Sequence, residues 1–213
     1  MTSQSICICA ILVQMKNQFR YVVGVDEAGR GPLAGSVAVG VVKVPIDFDW
    51  DLISGVGDSK QVSEKKRAAI FLRATQLKQS GKLDFSVVLV RATYIDKHGI
   101  VSAIKTALAK AIEELKLSPK DCFIKLDGSL QASSKFTQET IIKGDQKELV
   151  IGLASILAKV TRDSYMCKQD IKFPQYCFAL HKGYGTKIHR DMIAAHGFTP
   201  LHRKTYCKNI KIQ

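Results

Sequence analysis

The sequence predicts an α/β fold, and three observations predict it. Short β-branched runs at residues 21–25, 37–44, 84–90 and 122–126 read as strands. Helical periodicity lies between and beyond them, most clearly over residues 100–115. Two of the strand-like runs close on acids, Asp26-Glu27 and Asp127, which places charge at the end of apolar sequence. With 213 residues, 46% hydrophobic and 24% charged, the chain is long enough for one domain with a sizeable core.

The first run, Tyr21-Val22-Val23-Gly24-Val25, suits a buried strand, and Gly29, Gly31, Pro32 and Gly35 after it mark a tight turn. Buried charges need a partner or a metal, so Asp26 and Glu27 at its end suggest cation binding. A hairpin with two solvated acids fits the same residues. The glycine spacing approaches a dinucleotide-binding fingerprint, but that motif needs a helix opening at the glycines, and VAVGVVKV follows instead, a second strand.

A loop rich in Gly and Asp over residues 45–60 ends GVGDSK. Ser63 then reads as the N-cap of a basic helix reaching Gln79, with Ile70 and Leu77 facing inward. After the strand at 84–90, Thr93 and Asp96 have the spacing of a capping box. The next helix places Ile100, Ile104, Ala107, Leu108, Ala111, Ile112 and Leu115 on one face, and Ser118-Pro119 stops it.

Asp127-Gly128 ends the strand at 122–126 as Asp26-Glu27 ends the first, and residues 141–145 form a third strand-like run closing on Asp145. An amphipathic helix over 149–159 follows, burying Leu149, Leu153, Ile156, Leu157 and Val160 on one side. Lys159 and Arg162 extend from it, either as solvated charge or as phosphate contacts. Residues 173–186 read as a loop mixing aromatics with bases, in which flanking glycines make Tyr184 an exposed residue suited to stacking on sugar or base. Thr186 caps a short helix ending at Gly197, and a basic tail spans 202–211.

The net charge of +13 implies a polyanionic partner. From Lys159 to Gln213 there are eleven Lys and Arg against three acids, a distribution that favours nucleic acid. The six cysteines show no C-x-x-C pair, which reads as reduced thiols and a cytoplasmic location. Residues 6–13 are apolar, but they carry neither the basic flank of a signal peptide nor the length of a membrane span.

In sheets with crossover helices, sites form beyond the carboxyl ends of strands, so Asp26 and Asp127 can converge if their strands are neighbours. Such a cluster would repel a phosphodiester unless oxygen-ligated divalent cations, Mg²⁺ or Mn²⁺, lay between. Alternation along a strand would send Asp26 and Glu27 to opposite faces, so their convergence needs the strand to bend or end there. A non-catalytic nucleic-acid-binding module leaves the acids unexplained, and a DNA junction resolvase remains open because it would need no ribose.

The ordered motifs DEAGRGP, LDGS, KGD, ASILAKVTRD and HKGYGT, spread over roughly residues 21–206, resemble bacterial ribonuclease HII. The resemblance implies a ribonuclease H-like mixed sheet flanked by helices, with a small C-terminal helical part. It implies cutting of the RNA strand of RNA/DNA hybrids, and of single ribonucleotides embedded in duplex DNA, by two divalent ions, Mn²⁺ or Mg²⁺. Asp26, Glu27, Asp127 and Asp145 would hold the ions and be catalytic. Gly29, Arg30 and Gly31 would read the 2′-hydroxyl, and Tyr184 would pack on the adjoining sugar. Lys60, in a D-S-K similar to one in the family, would reach a phosphate, as would Lys159 and Arg162. Residues 1–20 fall outside the resemblance and form an extension, in which Met15 offers an alternative start, so the catalytic domain is expected over 21–213. A monomer with no membrane association is expected.

Overall fold

The computed structural model describes residues 18–57 and 62–212. Its centre is a five-stranded sheet in the order β3-β2-β1-β4-β5. The β-branched run at the start becomes β1 (Tyr21–Ala28), and β2 (Val37–Pro45) returns antiparallel beside it. β3 (Asp84–Val90) pairs antiparallel with β2, whereas β4 (Cys122–Asp127) and β5 (Thr137–Ile141) run parallel to β1. The sheet is therefore mixed, as the resemblance implied.

The helices are α1 (Glu64–Gln79), α2 (Ala92–His98), α3 (Ile100–Glu114), α4 (Gly144–Lys147), α5 (Leu149–Lys172), α6 (Phe178–His181) and α7 (Lys187–His196). On one face of the sheet Ala103, Ile104, Ala107, Leu108 and Ala111 of α3 pack on Val23, Val25, Ile124 and Leu126. On the other face α5 and α1 bury Leu153, Ala154, Leu157, Ile70 and Leu77 with Val42 and Val44. A methyl group on Gly24 would lie 2.2 Å from the Val150 carbonyl oxygen, and one on Gly40 would lie 2.4 Å from that of Ala154. Two glycines on neighbouring strands thus let α5 sit with its backbone against the sheet. A third core, around Met166, Tyr176, Phe178 and Ile193, joins the end of α5 to the C-terminal helices.

The Ser63 and Thr186 caps form, accepting hydrogen bonds from the N–H groups of Lys66 and His189. The capping box does not: the residue before α2 is Arg91, with no side-chain cap, and the Asp96 carboxylate instead accepts from the main chain of Lys204 and Thr205. The third strand-like run is displaced. β5 ends at Ile141, Lys143 adopts φ 55, and Asp145 belongs to the short helix α4. β5 was hidden because it is a polar edge strand, TQETI, with no apolar signal. The helix expected over 149–159 continues to Lys172, and its Leu149 is 43% exposed rather than buried. The loop at 173–186 contains a 3-10 turn, Pro174–Tyr176, and α6. Residues 1–17 of the 1–20 extension and the D-S-K with Lys60 lie outside the described residues.

Candidate active site

β1 runs through the acids instead of stopping at them. Its pairing with β2 continues to Ala28 opposite Ala38, but its parallel pairing with β4 ends at Val25 opposite Leu126. Asp26 and Glu27 therefore extend past their neighbour on that side. Although strand alternation points them to opposite faces, both line one cavity of about 560 Å³. Asp127, the last residue of β4, lines it too, with Asp145.

Asp26 is 6% exposed. Its Oδ1 accepts the Glu27 main-chain N–H at 2.7 Å. Burial pushes its carboxyl up to about 8, the charges of Glu27 and Asp127 push the same way, and a hydrogen bond from Ser155 opposes them. Burial also raises Glu27, against the Arg30 guanidinium whose Nη1 lies 2.9 Å from Glu27 Oε1. Asp127 Oδ1 accepts the Gly144 N–H at 2.6 Å, which ties α4, and with it the buried Asp145, to the end of β4.

The turn after β1 is held from beneath by two guanidinium groups. Gly29 has φ 89, and a methyl there would fall 1.9 Å from Arg162 Nε. Arg162 is wholly buried and donates to the carbonyls of Ser36 at 3.0 Å, Ala34 at 3.3 Å and Lys182 at 3.0 Å. This corrects the expected phosphate contact: its guanidinium fastens the turn and is not at the cleft surface. Lys159, one turn earlier on α5, does line the cleft, ion-paired with Asp163 at 3.0 Å and 5.7 Å from the Tyr184 ring centroid. Tyr184 is 43% exposed and lines the same cleft as Gly29, Arg30 and Gly31.

Sequence reasoning missed Arg67, Ser155 and Arg203. Arg67 of α1 and Ser155 of α5 line the cleft. Ser155 had a signal, as a polar residue within the otherwise apolar run LASIL of an amphipathic helix. Arg203 lay in the basic tail, where nothing local separates a buried arginine from a solvated one.

The acids suit a hard divalent ion. All their donors are carboxylate oxygens, and the burial and neighbouring negative charge that raise Asp26 and Glu27 are offset by positive charge. Among the described residues no group of three or more His, Cys, Asp or Glu is arranged to hold a metal by itself. An ion here would draw the carboxylates together or complete its shell with water and substrate, as Mg²⁺ commonly does.

The family profile described as Ribonuclease HII matches residues 23–209. This chain belongs to the ribonuclease HII family. It is a ribonuclease H, an endonuclease of RNA/DNA hybrids. Ribonuclease HII of Clostridioides difficile (strain 630) is 43% identical over 192 residues, which is 90% of this chain and 72% of that one. Ribonuclease HII of Endomicrobium trichonymphae is 43% identical over 189 residues, 88% of this chain and 86% of that one. The crystal structure of ribonuclease H2 from Pyrococcus horikoshii OT3 superposes with TM-score 0.72 at 27% identity, covering 90% of this chain and 97% of the other. A Bst ribonuclease HIII solved in complex with Mn²⁺ shares the fold, with TM-score 0.66 at 16% identity, covering 95% of this chain and 73% of that one. Family membership removes the non-catalytic binding module as a reading. Among the described residues no helix is long and apolar enough to cross a membrane.

Proposed function

We propose that this ribonuclease H cleaves both the RNA strand of hybrids and single ribonucleotides embedded in duplex DNA, on the 5′ side of the ribonucleotide, leaving 5′-phosphate and 3′-hydroxyl ends. One observation carries the reading: the buried, crowded Asp26 shares a cleft with Glu27, Asp127 and Asp145 and with a glycine-flanked turn and an exposed tyrosine. Asp26, Glu27, Asp127 and Asp145 would hold two Mn²⁺ or Mg²⁺ ions. When bound, such ions supply activation of water and charge neutralisation at the scissile phosphate.

The rest falls to the chain's own residues. Gly31 has nothing within 4 Å of where a methyl group would stand, so the main chain there is open to close approach by a sugar. Gly29, Arg30 and Gly31 read the 2′-hydroxyl, the group that separates RNA from DNA. Tyr184 packs on the adjoining sugar, with Lys159 behind its ring and near enough to meet a phosphate. Arg30, paired with Glu27, favours the charged form of that carboxylate against the cost of its burial. Lys60 would add a phosphate contact. The protein acts as a monomer in the cytoplasm, its catalytic domain spanning 21–213.

The test is a labelled duplex with one ribonucleotide beside an identical duplex carrying deoxyribose there, each with and without Mn²⁺. Only the first is cut, and only with the ion. A site built to bond a hydroxyl rejects the substrate lacking it by a factor of about 10⁴ or more. Comparable cutting of the all-DNA duplex would point to a general DNA nuclease or resolvase, and a 2′,3′-cyclic phosphate end would identify the ribose hydroxyl, not water, as nucleophile.

A further inference from the structure

The wholly buried guanidinium of Arg203 reaches back to the turn after β1, 168 to 174 residues earlier in the chain. Its Nη2 donates to the Gly29 carbonyl at 2.7 Å and to that of Gly35 at 2.9 Å, its Nη1 to the Arg30 carbonyl at 2.9 Å, and its Nε to Gly35 at 3.0 Å. Across a trans peptide the carbonyl and the following N–H point in opposite directions. Holding the Gly29 and Arg30 carbonyls therefore turns the N–H groups of Arg30 and Gly31 away from the guanidinium. Neither N–H donates to a main-chain carbonyl among the described residues, and Gly29, Arg30 and Gly31 line the cleft.

The segment carrying Arg203 is tied down from outside. Asp96 accepts the Lys204 N–H at 2.8 Å, the Thr205 N–H at 3.1 Å and the Thr205 hydroxyl at 2.6 Å. On the inner side the Arg203 N–H donates to the Leu33 carbonyl at 2.7 Å. A planar fork with five donors can hold three carbonyls in fixed directions at once, which a lysine ammonium on a flexible stem cannot.

We propose that Arg203 is a positioning residue for ribose recognition, holding the Gly29 and Arg30 peptides so that the Arg30 and Gly31 N–H groups face the 2′-hydroxyl of the scissile nucleotide. The inference rests on reading residues 29–31 as the ribose sensor. It assigns the C-terminal segment a part in substrate discrimination through a side chain that is wholly buried.

The experiment compares the wild type, Arg203→Lys and Asp96→Ala in steady-state cleavage of the single-ribonucleotide duplex and its all-DNA counterpart, with kcat and KM measured separately. Arg203→Lys is expected to lower kcat on the order of 100-fold, as small misplacements of a positioning group do. Its KM stays within about threefold, because phosphate contacts elsewhere set affinity. Asp96→Ala, a change near the surface, lowers kcat by about tenfold at unchanged KM through the same loosening. If the wild type cuts both duplexes alike, the ribose sensor itself is overturned. If the wild type discriminates and folded Arg203→Lys keeps its kcat, the sensor stands and the role of Arg203 is overturned. Should Arg203→Lys fail to fold, wild-type kcat in Asp96→Ala overturns it instead.

Discussion

His189 and His202 meet through their Nε2 atoms, 3.2 Å apart, in the interior behind Tyr184. Thr199 donates its N–H to His202 Nδ1 at 2.9 Å, so the His202 proton sits on Nε2 and is donated to His189. His189 then carries its proton on Nδ1, 2.9 Å from the Tyr184 carbonyl, which accepts it. His181 stacks on His189 with centroids 4.3 Å apart, accepts the Gly183 N–H at Nδ1 and donates from Nε2 to the Tyr176 carbonyl. The network closes only when the rings are neutral, and burial pushes His189 and His202 each down to about 4. Between pH 6.5 and 4 the unfolded chain binds more protons than the folded one, so stability is full above pH 6.5 and is lost as pH falls toward 4. Each ring contributes up to about 1.4 kcal/mol per pH unit in that window. Denaturant titrations at pH 7 and pH 5 check this; equal midpoints would contradict the neutral relay.

Asp26→Asn is expected to abolish cleavage while the chain still folds, since it removes a charged oxygen proposed to hold a metal ion and keeps the shape. Asp127→Asn should do the same. Stability moves the other way in metal-free protein. Asp26 is raised from 3.8 to about 8, so the folded state holds the extra proton between those values and stability falls as pH rises through them. At pH 8 metal-free Asp26→Asn should therefore be the more stable protein, by about a few kcal/mol, and Mn²⁺ should raise the thermal transition of wild type more than that of the variant. Turnover like wild type in either variant would remove these acids from the metal site.

Gly29→Ala and Gly31→Ala separate folding from recognition. At Gly29, with φ 89, a methyl would collide with Arg162 Nε at 1.9 Å, so that variant should lose stability as well as activity. At Gly31 the space is empty, so the fold should be kept while the methyl enters the cleft and lowers kcat/KM. Thermal unfolding beside cleavage rates distinguishes them. Wild-type cleavage by Gly31→Ala would mean the sugar does not approach that backbone.

Tyr184→Ala should lower kcat at least about tenfold more than it weakens duplex affinity, because phosphate contacts dominate binding while this ring is proposed to position a sugar. Salt titration of binding beside single-turnover cleavage measures both. Equal losses would contradict the positioning role.

The local parts of this protein were legible in its sequence. β-branched runs marked β1, β2, β3 and β4; the face from Ile100 to Leu115 marked α3; Ser63 and Thr186 marked two helix starts; and acids closing apolar runs marked the cleft. These features depend on neighbours within a few residues, so one chain suffices to state them. The resemblance to ribonuclease HII extended that reading to the strands' adjacency. Only the tertiary structure decided which charges are solvated and which are buried. Arg162 and Lys159 stand three residues apart on one helix, and Arg203 and Lys204 are adjacent, yet the arginines are buried against main-chain carbonyls of the turn after β1 while the lysines keep solvent. Asp96 had a capping spacing but bonds to residues more than a hundred positions away. Desolvation of a charged group is offset only by partners brought by the fold from distant sequence, and no local pattern carries that information.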